Sequence, residues 1–326
     1  MTHSTEKRTW WRKNCNLEEK IDKTGQNTLG KILRKNREMQ QLSKQKVCRG
    51  LCTVMALARY ESDERIPDKF LMDALLERLG LNSFRYEFVA SDQEFDYSMK
   101  RERIEKLLHE GCDKEVCQEA IKEYENQIQE KDRLHRQYLL LKKGIILGKE
   151  KKYRNAIVRF REALECTGCN ELTPQKPKDI LLTNIETELF YFIAKFQYLQ
   201  GDEEQASIYF LMLKNYIEQR PEQQEKWKEY YPYILYYLAQ HALKLQNFGT
   251  SYKYVKRAEK ILIENYKFDY LYEILQLKEK VCEKFGIREK KNDRSLLLLK
   301  LMTMEQNGRL TKEGLDLWES IASQQL

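Results

Sequence analysis

Two small residues recur twelve positions apart three times along this chain, and that spacing constrains the fold more than any other feature. The pairs are Gly144 with Ala156, Ala194 with Ala206, and Ala239 with Ser251. In each case a larger apolar residue (Phe160, Phe210 or Val255) follows four positions after the second member. The flanks keep a helical period. Leu140 and Leu147 precede Tyr153 and Ala163; Phe190 and Ile193 precede the second unit's partner; Leu235, Leu238 and Ala242 precede Phe248 and Ala258. Two facing small residues let antiparallel helices approach closely, and the larger residue one turn on fills the groove between them. Only 5 prolines and 13 glycines occur in 326 residues, which favours long uninterrupted helices over strands. The prediction is an all-α chain built largely from stacked helix pairs.

At the packing positions this pattern resembles the tetratricopeptide repeat. Successive units are offset by 50 and then 45 residues, against about 34 in the standard repeat, so longer helices and inserted loops such as Cys169 to Lys178 and Arg220 to Glu225 are expected. A weaker unit spans Met99 to Gln127, with Cys117 at the small position, and helices after Phe268 continue the stack. Leu296 to Met304 and Lys312 to Ala322 are expected to close its end. In such a solenoid the first helix of each pair lines a concave face. Projecting the template puts Tyr138, Leu141, Glu188, Tyr191, Lys195, Tyr198, Tyr233, Tyr236, Gln240 and Lys244 on that face. Tyrosine combines a flat apolar surface with a hydroxyl at low entropic cost, which suits a peptide groove. Lys195 and Lys244 would meet a peptide carboxylate, and Glu188 an amine.

Charge divides the chain differently. Residues 1–60 hold 14 Lys and Arg against 5 Asp and Glu, while the chain as a whole carries a net +7, so the basic excess lies entirely in the N-terminal fifth. Localised positive charge suits a phosphate-binding surface. Residues 1–27 lack periodicity and are read as a mobile basic extension, without the apolar stretch of a signal peptide. From Thr28 the signals sharpen. Thr28 caps a helix carrying Leu29, Ile32, Leu33 and Met39; Ser43 caps a short helix to Arg49; Gly50 makes a left-handed turn; Thr53 caps a third helix to about Glu61. A fourth helix is expected from Pro67 to Leu79, ended by Gly80. A short helix, a glycine turn and a second short helix make a helix-turn-helix.

The residues Leu33-Arg34, Arg37, Leu42-Ser43, Gly50-Leu51-Cys52-Thr53, Leu57, Arg59-Tyr60-Glu61, Arg65, Pro67 and Ala74 to Gly80 resemble the XRE-type, lambda-repressor-like helix-turn-helix. Within that group they are most similar to PlcR-like and Rgg-like peptide-responsive regulators, whose elongated repeats the rest of the chain also resembles. The resemblance implies a structural ion pair between Arg37 and Glu61. It also implies a DNA face carrying Lys44, Thr53, Val54, Met55, Ala58 and Arg59, with Arg49 as a further phosphate contact. Where Met55, Ala56 and Ala58 stand, the family usually carries small hydroxyl residues. Alanine and methionine reach only thymine methyls or shape, so contacts to phosphate position the head more firmly than base readout specifies it.

Other chemistry is not signalled. Cys15, Cys48, Cys52, Cys112, Cys117, Cys166, Cys169 and Cys282 are scattered and read as reduced thiols. Cys166 and Cys169 have a CxxC spacing but lack the second ligand pair of a zinc site. No nucleophile-base motif and no glycine-rich phosphate loop is present, so neither an enzyme nor a cofactor is expected. The expectation is a five-helix helix-turn-helix domain over 28–90 and a helical repeat domain over 91–326. The whole would form a cytoplasmic homodimer that binds a double-stranded operator and a short signalling peptide, with no membrane partner. The alternative is a protein-interaction scaffold whose helix-turn-helix survives only as a bundle.

Overall fold

The computed structural model describes residues 28–83, 91–129, 132–169, 181–220, 230–265 and 270–287. The basic extension, the end of the head at 84–90 and the two expected closing helices beyond 287 lie outside the described residues. So do the inserted loops over 170–178 and 221–225. Every regular element described is helical.

Among the described residues the head, expected to have five helices, shows four: α1 Leu29–Met39, α2 Lys44–Cys48, α3 Val54–Glu61 and α4 Lys69–Arg78. The first three begin where their capping residues require. The side chains of Thr28, Ser43 and Thr53 each accept the backbone N–H three residues on, at 3.3, 3.2 and 3.1 Å. The fourth differs from expectation. Asp68 caps α4, its carboxylate accepting Leu71 N–H at 2.8 Å, so Pro67 lies just outside the helix and not in its first turn. Asp63, in the turn after α3, takes φ +60° and accepts the Thr28 hydroxyl at 2.5 Å, tying that turn to the start of α1.

Beyond the head the helices run as α5 Asp92–His109, α6 Lys114–Glu125, α7 Arg133–Lys149, α8 Tyr153–Glu165, α9 Asn184–Leu199, α10 Glu203–Glu218, α11 Tyr231–Lys244, α12 Phe248–Glu264 and α13 Leu271–Phe285. From α5 onward each packs on the next, and α7 with α9 and α11 with α13 also touch, as in a solenoid of antiparallel pairs. The chain is thus an all-α helix-turn-helix head followed by an α-solenoid.

The twelve-residue spacing marks the close approaches. Ala156, Ala194, Ala206, Ala239 and Ser251 are fully buried. A Cβ built on Gly144 would fall 2.2 Å from the Phe160 ring, so α7 and α8 meet only because residue 144 has no side chain. The Ser251 hydroxyl donates to the Ala239 carbonyl at 2.8 Å, which lets serine stand where the other units place alanine.

The head is seated on the array through a seam with buried polar contacts. Arg78, at the end of α4, is fully buried. Its Nη1 donates to the carbonyls of Val47 (3.0 Å) and Arg49, and its Nη2 to Glu186 Oε1 at 3.1 Å. Glu186 lies in the first turn of α9, where it forms a capping box with Thr183 and accepts the Cys169 thiol at 3.1 Å. Glu77 Oε2 accepts Asn184 N–H at 2.9 Å. Gly50 has φ +71°, and a Cβ there would lie 1.9 Å from the Thr167 carbonyl, so the turn of the head also abuts the loop after α8. Leu181 joins the apolar core of the head, and Phe70 packs on the core of α5 to α7.

Candidate functional site

The helix-turn-helix presents a solvent face that the array leaves uncovered. Val54 and Met55, at the start of α3, are exposed (Met55 to 68%), as are Thr53 and Arg59, while Ala58 is half-buried. This face is held from behind by a buried fork. Arg37 Nε and Nη2 donate to the two Glu61 oxygens at 2.6 and 2.9 Å, and Arg37 Nη1 donates to the Leu42 carbonyl at 3.1 Å. One guanidinium thereby fixes α1 to α3 and to the approach to α2. The hydrogen bond that Arg37 donates to Glu61 is the main reason the Arg37 pKa is raised, and a bidentate pair of this kind sets orientation as well as energy. Lys44 is half-exposed, with its ammonium 3.6 Å from Glu61, so the residue expected to meet phosphate is partly engaged by the fork. Arg49, at the end of α2, is exposed.

On the array, the structure separates the ten projected groove residues. Tyr138, Leu141 and Tyr191 are buried and belong to the core rather than to a solvent face. Tyr138 donates its hydroxyl to the Arg101 carbonyl at 3.1 Å, and Tyr191 packs against Tyr230 with ring centres 4.8 Å apart. Tyr138 is buried because α5 and α6 precede the first regular pair and cover its face of α7, whereas Leu141 and Tyr191 pack in the core shared by the regular pairs themselves. Glu188, Lys195, Tyr198, Tyr233, Tyr236 and Gln240 are half-buried, and Lys244 is exposed and paired with Glu203.

These residues form a connected strip. Glu188 accepts the Tyr230 hydroxyl at 3.2 Å, and Tyr198 donates to Gln240 Oε1 at 2.5 Å. Tyr270 packs edge-on against both Tyr233 (4.6 Å) and Tyr236 (5.4 Å). Burial pushes the Tyr236 phenol up to about 12, so it stays a neutral donor. The Lys195 ammonium lies 5.9 Å from the Tyr191 ring centre and forms no ion pair among the described residues; burial lowers its pKa. A partly desolvated cation without a carboxylate partner is chemically able to pair with one.

Three contributors escaped the projection: Tyr230, Tyr270 and Lys142. Lys142 is buried, with its ammonium 2.9 Å from Glu105 and 3.8 Å from Glu188. Burial opposes its charge, but Glu188 and Glu105 outweigh that and raise its pKa. The spacing of four between Tyr138 and Lys142 was the available signal; Tyr230 and Tyr270 lie just before helices, where a face projection has no purchase.

The two cysteines of the CxxC pair have separate partners. Cys166 donates to the Glu162 carbonyl and Cys169 to Glu186. Among the described residues no group of three or more His, Cys, Asp or Glu side chains is arranged to hold a metal ion, and no helix is long and apolar enough to cross a membrane.

No family model and no curated protein sequence matches the chain. Solved structures do. The crystal structure of Bacillus thuringiensis PlcR in complex with the peptide PapR7 and DNA superposes with a TM-score of 0.51 at 14% identity, covering 90% of this chain and 98% of that one. That likeness shows the fold, from head through array. ComR from S. thermophilus, in complex with DNA and its signalling peptide ComS, matches with a TM-score of 0.33 at 14% identity over 78% of this chain and 99% of that one.

Proposed function

We propose that this chain is a DNA-binding transcription regulator whose helical array senses a short peptide. The observation that carries the reading is the uncovered face of α3, held by the Arg37–Glu61 fork in a head seated on an array with a tyrosine-lined strip. The fold shared with PlcR, a protein crystallised with a peptide and DNA, supports it. In this reading Thr53, Val54, Met55, Ala58 and Arg59 face the major groove, while Arg49 and Lys44 meet phosphate. Lys195 takes a carboxylate of the peptide, whose body lies along Tyr198, Tyr233, Tyr236 and Gln240. The protein acts in the cytoplasm as a homodimer of XRE type on two half-sites about 34 Å apart, with an array of tetratricopeptide type. The peptide alters operator binding only to the extent that it binds two arrangements of the heads with different affinity.

Duplex binding measured across a salt series tests the DNA half. Affinity should fall steeply with salt, with a slope of about 0.9 per phosphate contact, and Arg49→Ala should reduce that slope by roughly one contact. Binding that is absent at low salt would overturn the assignment. The exposed Met55 favours the scaffold alternative, in which α3 docks on a protein, and the same measurement separates the two. For the peptide half, Lys195→Met and Tyr236→Ala should each weaken peptide binding while the helical signal persists.

A further inference from the structure

A cleft of about 500 Å³ opens between the head and the start of the array. The head contributes Asp68, Lys69 and Phe70, α5 contributes Glu94, Tyr97 and Arg101, and α7 with its approach contributes Asp132, Arg133 and His135. None of these belongs to the DNA face or to the tyrosine strip.

Most charges in the cleft already have partners. Asp68 accepts Leu71 N–H, Glu94 accepts Lys69 N–H at 3.1 Å, and Asp132 accepts Gln129 N–H at 3.1 Å. The Lys69 ammonium pairs with Asp73 at 3.1 Å. Arg101 and Arg133 differ: neither forms an ion pair among the described residues. Arg101 is half-buried and held in place. Its guanidinium lies 4.5 Å from the Phe70 ring centre and donates from Nη1 to the Tyr124 hydroxyl at 3.0 Å. The Tyr124 hydroxyl also shares a hydrogen bond with His135 Nδ1 at 2.5 Å, which ties Arg101 to a ring that lines the cleft. Phe70 and Tyr97 pack edge-on against His135 at 4.9 and 5.1 Å, so rings form part of the wall.

We infer that this cleft is a binding site for a small organic anion, a carboxylate or phosphate joined to an apolar or aromatic body, seated on Arg101 and Arg133. A fixed guanidinium without a carboxylate recognises such oxyanions through paired N–H donors. The volume lies within the range of pockets for small molecules. Because the walls come from both head and array, an occupant would bridge them and resist their separation.

Calorimetric titration of the full chain at constant ionic strength tests the site, with phenyl phosphate, benzoate and the neutral benzyl alcohol as probes. At least one anion should bind, and whichever binds tighter names the oxyanion; benzyl alcohol should bind at least tenfold more weakly. Arg101→Gln should weaken the anion at least tenfold. Arg133 is exposed and has no structural partner among the described residues, so Arg133→Gln keeps the fold and should weaken binding several-fold. Failure of both anions to bind would overturn the site. So would equal binding of the alcohol, or unchanged affinity in both variants. None of these outcomes depends on DNA or peptide binding.

Discussion

The interfaces between helix pairs and the seam beneath the head solve the same packing problem with opposite chemistry. Between α7 and α8, α9 and α10, and α11 and α12, small residues meet and Phe160, Phe210 or Val255 fills the groove. Apart from the Ser251 hydroxyl bonded to the Ala239 carbonyl, these contacts are apolar, and close approach gives them dispersion and burial energy. At the seam, a buried arginine meets a buried glutamate, and three helix ends share the polar contacts around them. A buried ion pair replaced by apolar groups of similar size often loses no stability, whereas removing one partner costs several kcal/mol. The seam therefore fixes an orientation, while the pair interfaces supply the cohesion of the array.

The largest break in that contrast should come from Phe160→Ala. It opens a cavity in the array core and should cost about 4 kcal/mol, read as one lowered transition in chemical denaturation. Next, Glu186→Ala strands the Arg78 charge and should cost about 3 kcal/mol. Here the loss should be local: limited proteolysis should cut the head side of the seam first, while the array transition stays put. The double change Arg78→Met with Glu186→Leu should recover most of that loss. If Glu186→Ala lowers the array transition as much as Phe160→Ala does, the two regions are one cooperative unit and the contrast fails.

A pH series sharpens the comparison from the seam side. Burial, more than the nearby Arg101, lowers the His135 pKa from 6.5 to about 4, against smaller opposing effects of Asp68 and Asp132. The folded chain then binds fewer protons than the unfolded one between these values. Stability from this group is complete above about 6.5 and is lost as pH falls toward about 4, by roughly 3 kcal/mol in all. His135→Gln should flatten that part of the profile, measured by denaturant midpoints at each pH. The smallest effect belongs to Ser251→Ala, which removes one hydrogen bond to the Ala239 carbonyl and should cost about 1 kcal/mol or less.

Much of the architecture was legible because it depends on local signals. Caps at Thr28, Ser43 and Thr53, the left-handed turn at Gly50 and the twelve-residue spacing each encode their own element or pair. The candidate peptide strip was less legible. A projection along one helix ranks faces relative to its own partner, and it has no information about a third element laid over that face. Tyr138 was misplaced for that reason, and Lys142, which looks like a solvated lysine in sequence, became buried between two glutamates.

Periodicity and capping act over short distances, so the helices and their regular pairing were encoded along the chain, whereas the fork between Arg37 and Glu61 was implied only by the resemblance to XRE-type heads. How the head sits on the array, by contrast, was settled by long-range packing. Arg78 and Glu186 are 108 residues apart, and nothing local to either announces the other. Gly50 reads as a turn residue from its neighbours, yet its lack of a side chain is also required by the Thr167 carbonyl, which reaches it from across the seam. Contacts of that range depend on where whole helices end in space, so they are fixed by packing and not by any pattern along the chain.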